Sequence, residues 1–346
     1  MSCDNKDHHI DSLIPIVDSR GAFVLCSGTV EENTSTPSAI AYIDYNGSSV
    51  QQDIFQKRSG RQLGSTATDV LVYGEKLYIA VPGDNLIEVV NRRTWESVRQ
   101  VTLNSALSIA SSANQLLAAA DGFLYVACDS CVAAIDTLNF ASRRTYALKT
   151  SPVAIAVAKG TLYVCCNGRS SERPTIETID LLTDSTTTIT SSLLTRPQAI
   201  VAAWPHMFVL DQGDGTNALS IHRVSANGNV STVVRPAVSM SVSGTKLYTC
   251  NVSPASCSVY DLQTTSQSTF TTDITGTPCL IAADPVTNHI FLVSRISSAQ
   301  SADANIATQS ANVVEYNAQG KKLNTYDIPA NPKAIMFDVG LQYVEY

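Results

Sequence analysis

Nine cysteines are the most reactive side chains in this 346-residue chain, and their spacing offers the first chemical choices. Cys128-Asp129-Ser130-Cys131 places two thiols on either side of a two-residue turn, and Cys250 and Cys257 fall across a second turn. Residues facing each other on antiparallel strands have Cα atoms about 5.5 Å apart, within disulfide reach. Such bridges would suit an oxidising compartment. The same Cys-x-x-Cys spacing also serves redox and zinc sites. A redox pair wants a helix N-terminus to lower a thiol pKa, and this pair sits in a strand hairpin. A zinc site wants four ligands. Cys165 and Cys166 are poor second halves, because neighbours on a strand face opposite sides. Disulfide, free thiols and metal therefore stand side by side as readings. Cys26, Cys165, Cys166 and Cys279 lie in apolar runs, where burial is the default.

Catalytic sets are harder to assemble. The five histidines are dispersed: His8 and His9 near the start, His206 after Pro205 in a turn, His222 and His289 in or beside strand-like runs. No Ser/His/Asp arrangement and no Gly-x-Ser-x-Gly elbow is present. A calcium-dependent hydrolase of the lactonase kind needs acidic and amide oxygens from several inner strands. Only Asp69, Asp284 and Asp338 come near such runs, and the last two fall at strand exits. Trp95 and Trp204 are the only tryptophans, too few for the repeated tryptophan motifs of quinone-cofactor proteins. No catalytic residue, metal ligand or cofactor is assigned.

The elements that would position any site repeat along the chain. GEKLYIA (74–80), GFLYVA (122–127), GTLYVC (160–165) and GTKLYTC (244–250) are clear copies of one phrase, and FVLC, MFVL and IFLV are weaker ones. The shared aromatic stands at Phe23, Tyr78, Tyr125, Tyr163, Phe208, Tyr248 and Phe291, spaced 38 to 55 residues apart. A period near 40 built of short strands predicts an all-β, seven-bladed β-propeller with four-stranded blades. A second phrase, a polar residue and Pro before an apolar run, marks innermost strands at 151–157, 196–201, 235–240, 277–282 and 331–337. Proline is acceptable at the first residue of a strand. Third strands read at 39–44, 86–91, 132–136, 175–180, 218–224, 257–261 and 312–317. The Asp and Asn that end them are turn-makers.

The last inner phrase lacks a blade to follow it, and the first blade lacks an inner strand. The C-terminal strand is therefore expected to complete the N-terminal blade and remove the open edge. Residues 21–346 read as one domain and 1–20 as a tail. Residues 10–17 or 341–346 offer a further edge strand.

Function should then sit on the face shared by second-to-third loops and blade-to-blade connections. Long loops at 27–38, 167–174, 211–217 and 294–311 decorate it. Arg196, Gln198 and Arg235 precede or open inner strands, while Arg169, Asp214 and Arg295 come from neighbouring loops. These are the candidate ligand-binding residues, suited to anionic or amide-rich groups; the plain alternative is solvated loop charge. The formal charge of −7 and the lack of a basic stripe argue against nucleic acid. No apolar run of 18 residues exists to span a membrane as a helix. Met1-Ser2-Cys3-Asp4 reads as an added Met before a lipidated Cys3, with an ordinary tail as the alternative.

DVLVYGEKLYIAVPGDNLIEVV (69–90), DPVTNHIF (284–291) and the turn at 317–322 resemble YncE-like propellers among Bacteroidetes surface lipoproteins. The resemblance implies lipid anchoring at the outer membrane. It also implies capture of a small-molecule nutrient, such as the corrinoid vitamin B12, for a TonB-dependent transporter. Protein–protein scaffolding by the same face and a lactonase-like hydrolase are the alternatives.

Overall fold

The structure, a computed structural model, describes residues 13–31, 34–103, 115–168, 172–215, 218–234, 236–271, 273–296 and 310–345. Seven four-stranded antiparallel sheets form the blades of the propeller. Six blades use consecutive strands. The first is composite: strand Pro332–Glu345 lies innermost, followed by Leu13–Cys26, Ala39–Asp44 and Ser49–Gln51. Ring closure by the C-terminal strand is thus as expected.

All seven repeat aromatics lie in second strands and are buried. Each second strand has a neighbour on both sides, so its backbone groups are paired and its side chains meet the adjoining blades. Seven apolar clusters fill the ring, several of them spanning two successive blades. Trp95 is one such inter-blade plug. Its ring stands edge-on to Phe23 at 5.6 Å, and it is buried.

Four details differ from the expectation. The second strand of the first blade begins at Leu13, inside the segment assigned to a tail. Its early residues pair with the end of the closing strand, from Leu13 opposite Glu345 to Ser19 opposite Val339. The two stretches that competed for an edge position are therefore partners in one ribbon. The inner strand of the sixth blade spans Ser239–Ser243, starting after the predicted Arg235-Pro236 phrase. The first blade's short outer strand is followed by a helix, Ile54–Ser59, which buries Ile54 and Phe55 and is capped by Asp53. The 27–38 loop carries its own two-stranded ribbon, Thr29–Glu31 against Thr34–Thr36.

Candidate functional site

Antiparallel order within each blade puts second-to-third loops and blade-to-blade connections at one end of the ring. Inner strands start at that end and run toward the other. Their first residues ring the channel mouth, where a cavity of about 500 Å³ opens. Thr68, Leu116, Val153, Gln198 and Lys333 reach it from five blades, joined by Arg196 and Asn167.

Arg196 is placed by a buried carboxylate. Asp211 is fully buried and accepts from Thr195 Oγ1 at 2.5 Å, from the Thr195 amide at 2.8 Å, and from the Gly213 amide at 2.8 Å. The Arg196 amide donates to both of its oxygens at 3.0 Å. This clamp spends the backbone of Arg196 and leaves its guanidinium at the cavity. Among the described residues neither Arg196 nor Lys333 forms an ion pair.

The structure therefore brings Arg196 and Gln198 together and adds Lys333, Asn167 and the positioning residue Asp211, which sequence reasoning had missed. Asp214 lies exposed beyond the clamp and outside the cavity lining. Arg295 is exposed in the seventh blade, opposite Thr277, and also outside that lining. Arg169, Arg235 and Cys3 lie outside the described residues.

The loop-face end also carries buried polar atoms that lack a partner. Both amide atoms of Gln115, Thr175 Oγ1, Ser294 Oγ, Asn312 Oδ1 and Asn85 Oδ1 are in this state. All five residues stand at or beside loop-face ends of their strands. Buried polar atoms in folded proteins are nearly always paired with protein, water or ligand. Gln115, fully buried, lends its backbone carbonyl to Thr68 Oγ1 at 3.0 Å, at the edge of the mouth.

Asp69 opens its inner strand, Asp69–Tyr73. It accepts from the Val70 and Leu117 amides, both at 2.9 Å, stitching the second blade to the third. Burial pushes its carboxyl up to about 6, against the pull of these two bonds. Asp284 directly follows its inner strand and Asp338 lies midway along Pro332–Glu345; both are buried among protein donors. Among the described residues no three acidic, His or Cys side chains are grouped to hold a metal ion.

The predicted thiol pairs are in register: Cys128 faces Cys131 and Cys250 faces Cys257. All eight described cysteines are free thiols. Cys131 is partly exposed, and its hydrogen bond with Cys128 brings its thiol down to about 7. The same bond, with burial, pushes Cys128 up. Burial likewise raises the thiols of Cys165 and Cys257.

No family model and no curated protein matches this sequence. Its likeness is to solved structures. A Kuenenia stuttgartiensis hydrazine synthase structure covers 81% of this chain and 96% of its own, with TM-score 0.58 and 11% identity. The U3-55K structure covers 76% and 82%, with TM-score 0.57 and 10% identity. A functionally unknown protein from Desulfotomaculum acetoxidans covers 73% and 80%, with TM-score 0.54 and 10% identity. At such identities the likeness is one of fold.

Proposed function

We propose that this chain is a non-enzymatic binding propeller that captures a small-molecule nutrient on a bacterial surface. In this reading Cys3 carries a lipid anchor, and an outer-membrane transporter receives the ligand. The observation that supports it best is the channel mouth. Arg196 and Lys333, which form no ion pair among the described residues, line it together with Gln198, Asn167, Leu116 and Val153. The lining is mixed, with Leu116, Val153 and Pro197 beside polar and charged side chains that could fix the orientation of a ligand. The unpartnered atoms of Gln115, Ser294 and Asn312 extend the polar capacity of the same end.

The first ligand to test is a corrinoid, on the sequence resemblance. Calorimetric titration with cyanocobalamin should give saturable one-site binding, and the protein should co-purify with an outer-membrane barrel. Absence of both would sink the capture reading.

A second reading as a docking scaffold draws on the opposite end of the ring. Leu138, Leu182 and Trp204 stand in turns of three successive blades there and are 84%, 92% and 49% exposed. One exposed apolar side chain per blade at the same end offers a partner three points of apolar contact. Loss of barrel co-purification in Leu138→Asp/Leu182→Asp, with ligand affinity intact, would assign transporter contact to this face.

A further inference from the structure

We infer that the seam between the first and second blades holds a site for a small phosphate-type oxyanion, independent of the loop face. A cavity of about 200 Å³ lies there. Pockets for drug-sized ligands run from roughly 300 to 1,000 Å³, so this one suits a smaller guest.

Four arginines line it. Arg20 comes from the first blade, Arg58 from the helix Ile54–Ser59, and Arg92 and Arg93 from the second blade. Two carboxylates share the lining, Asp44 and Asp338. Asp338 is occupied: Arg92 donates to it, Arg20 lies at 3.4 Å, and Tyr42 OH donates to it at 3.2 Å. Glu75 approaches from outside the lining and pairs with Arg92 at 3.4 Å and Arg93 at 2.9 Å. Arg58 forms no ion pair among the described residues.

The seam is built rather than incidental. Arg92 is buried and fixed on three sides, by Asp338, by Glu75 and by the Gly74 carbonyl at 2.9 Å. Guanidinium forks match tetrahedral oxyanions in geometry and stay charged at any working pH. A further observation narrows the guest. Gln51 also lines the cavity, and its Oε1 is buried with no donor. Hydrogenphosphate or a hydroxyl-bearing phosphate monoester supplies both negative oxygens for Arg58 and Arg20 and an O–H for Gln51. Sulfate supplies only the oxygens.

The test is calorimetric titration of the full chain with inorganic phosphate, glycerol phosphate and sulfate at matched ionic strength. Saturable one-site binding of phosphate or glycerol phosphate is expected, with sulfate weaker. Arg58→Gln and, separately, Arg20→Gln should each weaken phosphate binding about tenfold or more, since bonds to charged groups carry that much energy. Both arginines are at least partly exposed, and unchanged circular dichroism and melting would show that the variants fold. Comparable binding of both phosphates assigns free phosphate as a sufficient guest, and binding of glycerol phosphate alone assigns the ester. No saturable heat with either phosphate, or equal affinity in both variants, would overturn the site. Equal affinity for sulfate would overturn the role given to Gln51. A loop-face variant, Arg196→Ala, should leave this binding unchanged, which separates the two sites.

Discussion

The hydroxyl of Tyr45 donates to Asp284 at 2.9 Å, joining the first blade to the seventh across 239 positions of sequence. Ser19 Oγ donates to the same carboxylate oxygen at 2.5 Å. The other oxygen accepts from the Val286 and Thr287 amides at 2.8 and 3.1 Å. Asp284 is fully buried, so one side chain shapes a turn and latches the composite blade to its neighbour.

Removing that carboxylate strands the buried Ser19 hydroxyl, the half-buried Tyr45 hydroxyl and two amides. Asp284→Ala should cost about 3 kcal/mol or more, and Tyr45→Phe about 1–2 kcal/mol, because it removes one donor and leaves the rest. Urea unfolding checks this through the shift of midpoint at constant slope. A Tyr45→Phe loss as large as that of Asp284→Ala would contradict the shared-latch description.

Asp69 gives the fold a pH dependence of unusual sign for a carboxylate. Its folded value, about 6, lies above the ordinary 3.8. Between those values the folded state holds a proton that the unfolded state has lost, so this group's contribution to stability falls as pH rises from about 4 to about 6. The full difference is no more than about 3 kcal/mol. Melting measured across that window should show a smaller fall in Asp69→Asn than in the parent. An identical slope in both would remove Asp69 as the cause.

The thiol pair at 128 and 131 should react asymmetrically. Among the eight described cysteines, Cys131 combines partial exposure with a lowered value of about 7. Thiolates are the reactive form. Iodoacetamide at pH 7.5, read by peptide mapping, should label Cys131 first, and Cys131→Ser should abolish that early label. With glutathione disulfide, the Cys131 thiolate displaces one glutathione thiolate. The Cys128 sulfur then displaces the second glutathione and loses its proton, closing the 128–131 bridge. Labelling of Cys165 or Cys257 ahead of Cys131 would contradict the ordering.

Much of the ring was legible because each blade repeats the same demand. A second strand sandwiched between neighbours needs an apolar-aromatic-apolar phrase, so Phe23, Tyr78 and Phe291 announce blades. The Pro-led phrase announced more than inner strands. The residue after Pro reaches the channel mouth in Pro152-Val153, Pro197-Gln198 and Pro332-Lys333. Lys333 could have been found by that register, but it sits in the strand that closes the ring and reads as scaffold. Asp211 was hidden for a different reason. Its carboxylate serves backbone amides, and such work carries no residue-type pattern in neighbouring sequence. Asp214 and Arg295 were grouped with the site by loop membership alone. Loops sharing a face can still stand far from its centre. The seam arginines were invisible as a set, because Arg20, Arg58 and Arg92 meet only after the C-terminal strand joins the first blade.

We propose the channel mouth as a ligand site whose charge comes from Arg196 and Lys333. Calorimetry with cyanocobalamin on the parent and on Arg196→Ala/Lys333→Ala tests it most directly. Both positions are exposed, so folding should change by under about 0.5 kcal/mol for each. The account predicts saturable binding by the parent and at least about tenfold weaker binding by the double variant, since a bond to a charged group is worth that much. Equal affinity in both proteins, or no saturable binding by the parent, would contradict it.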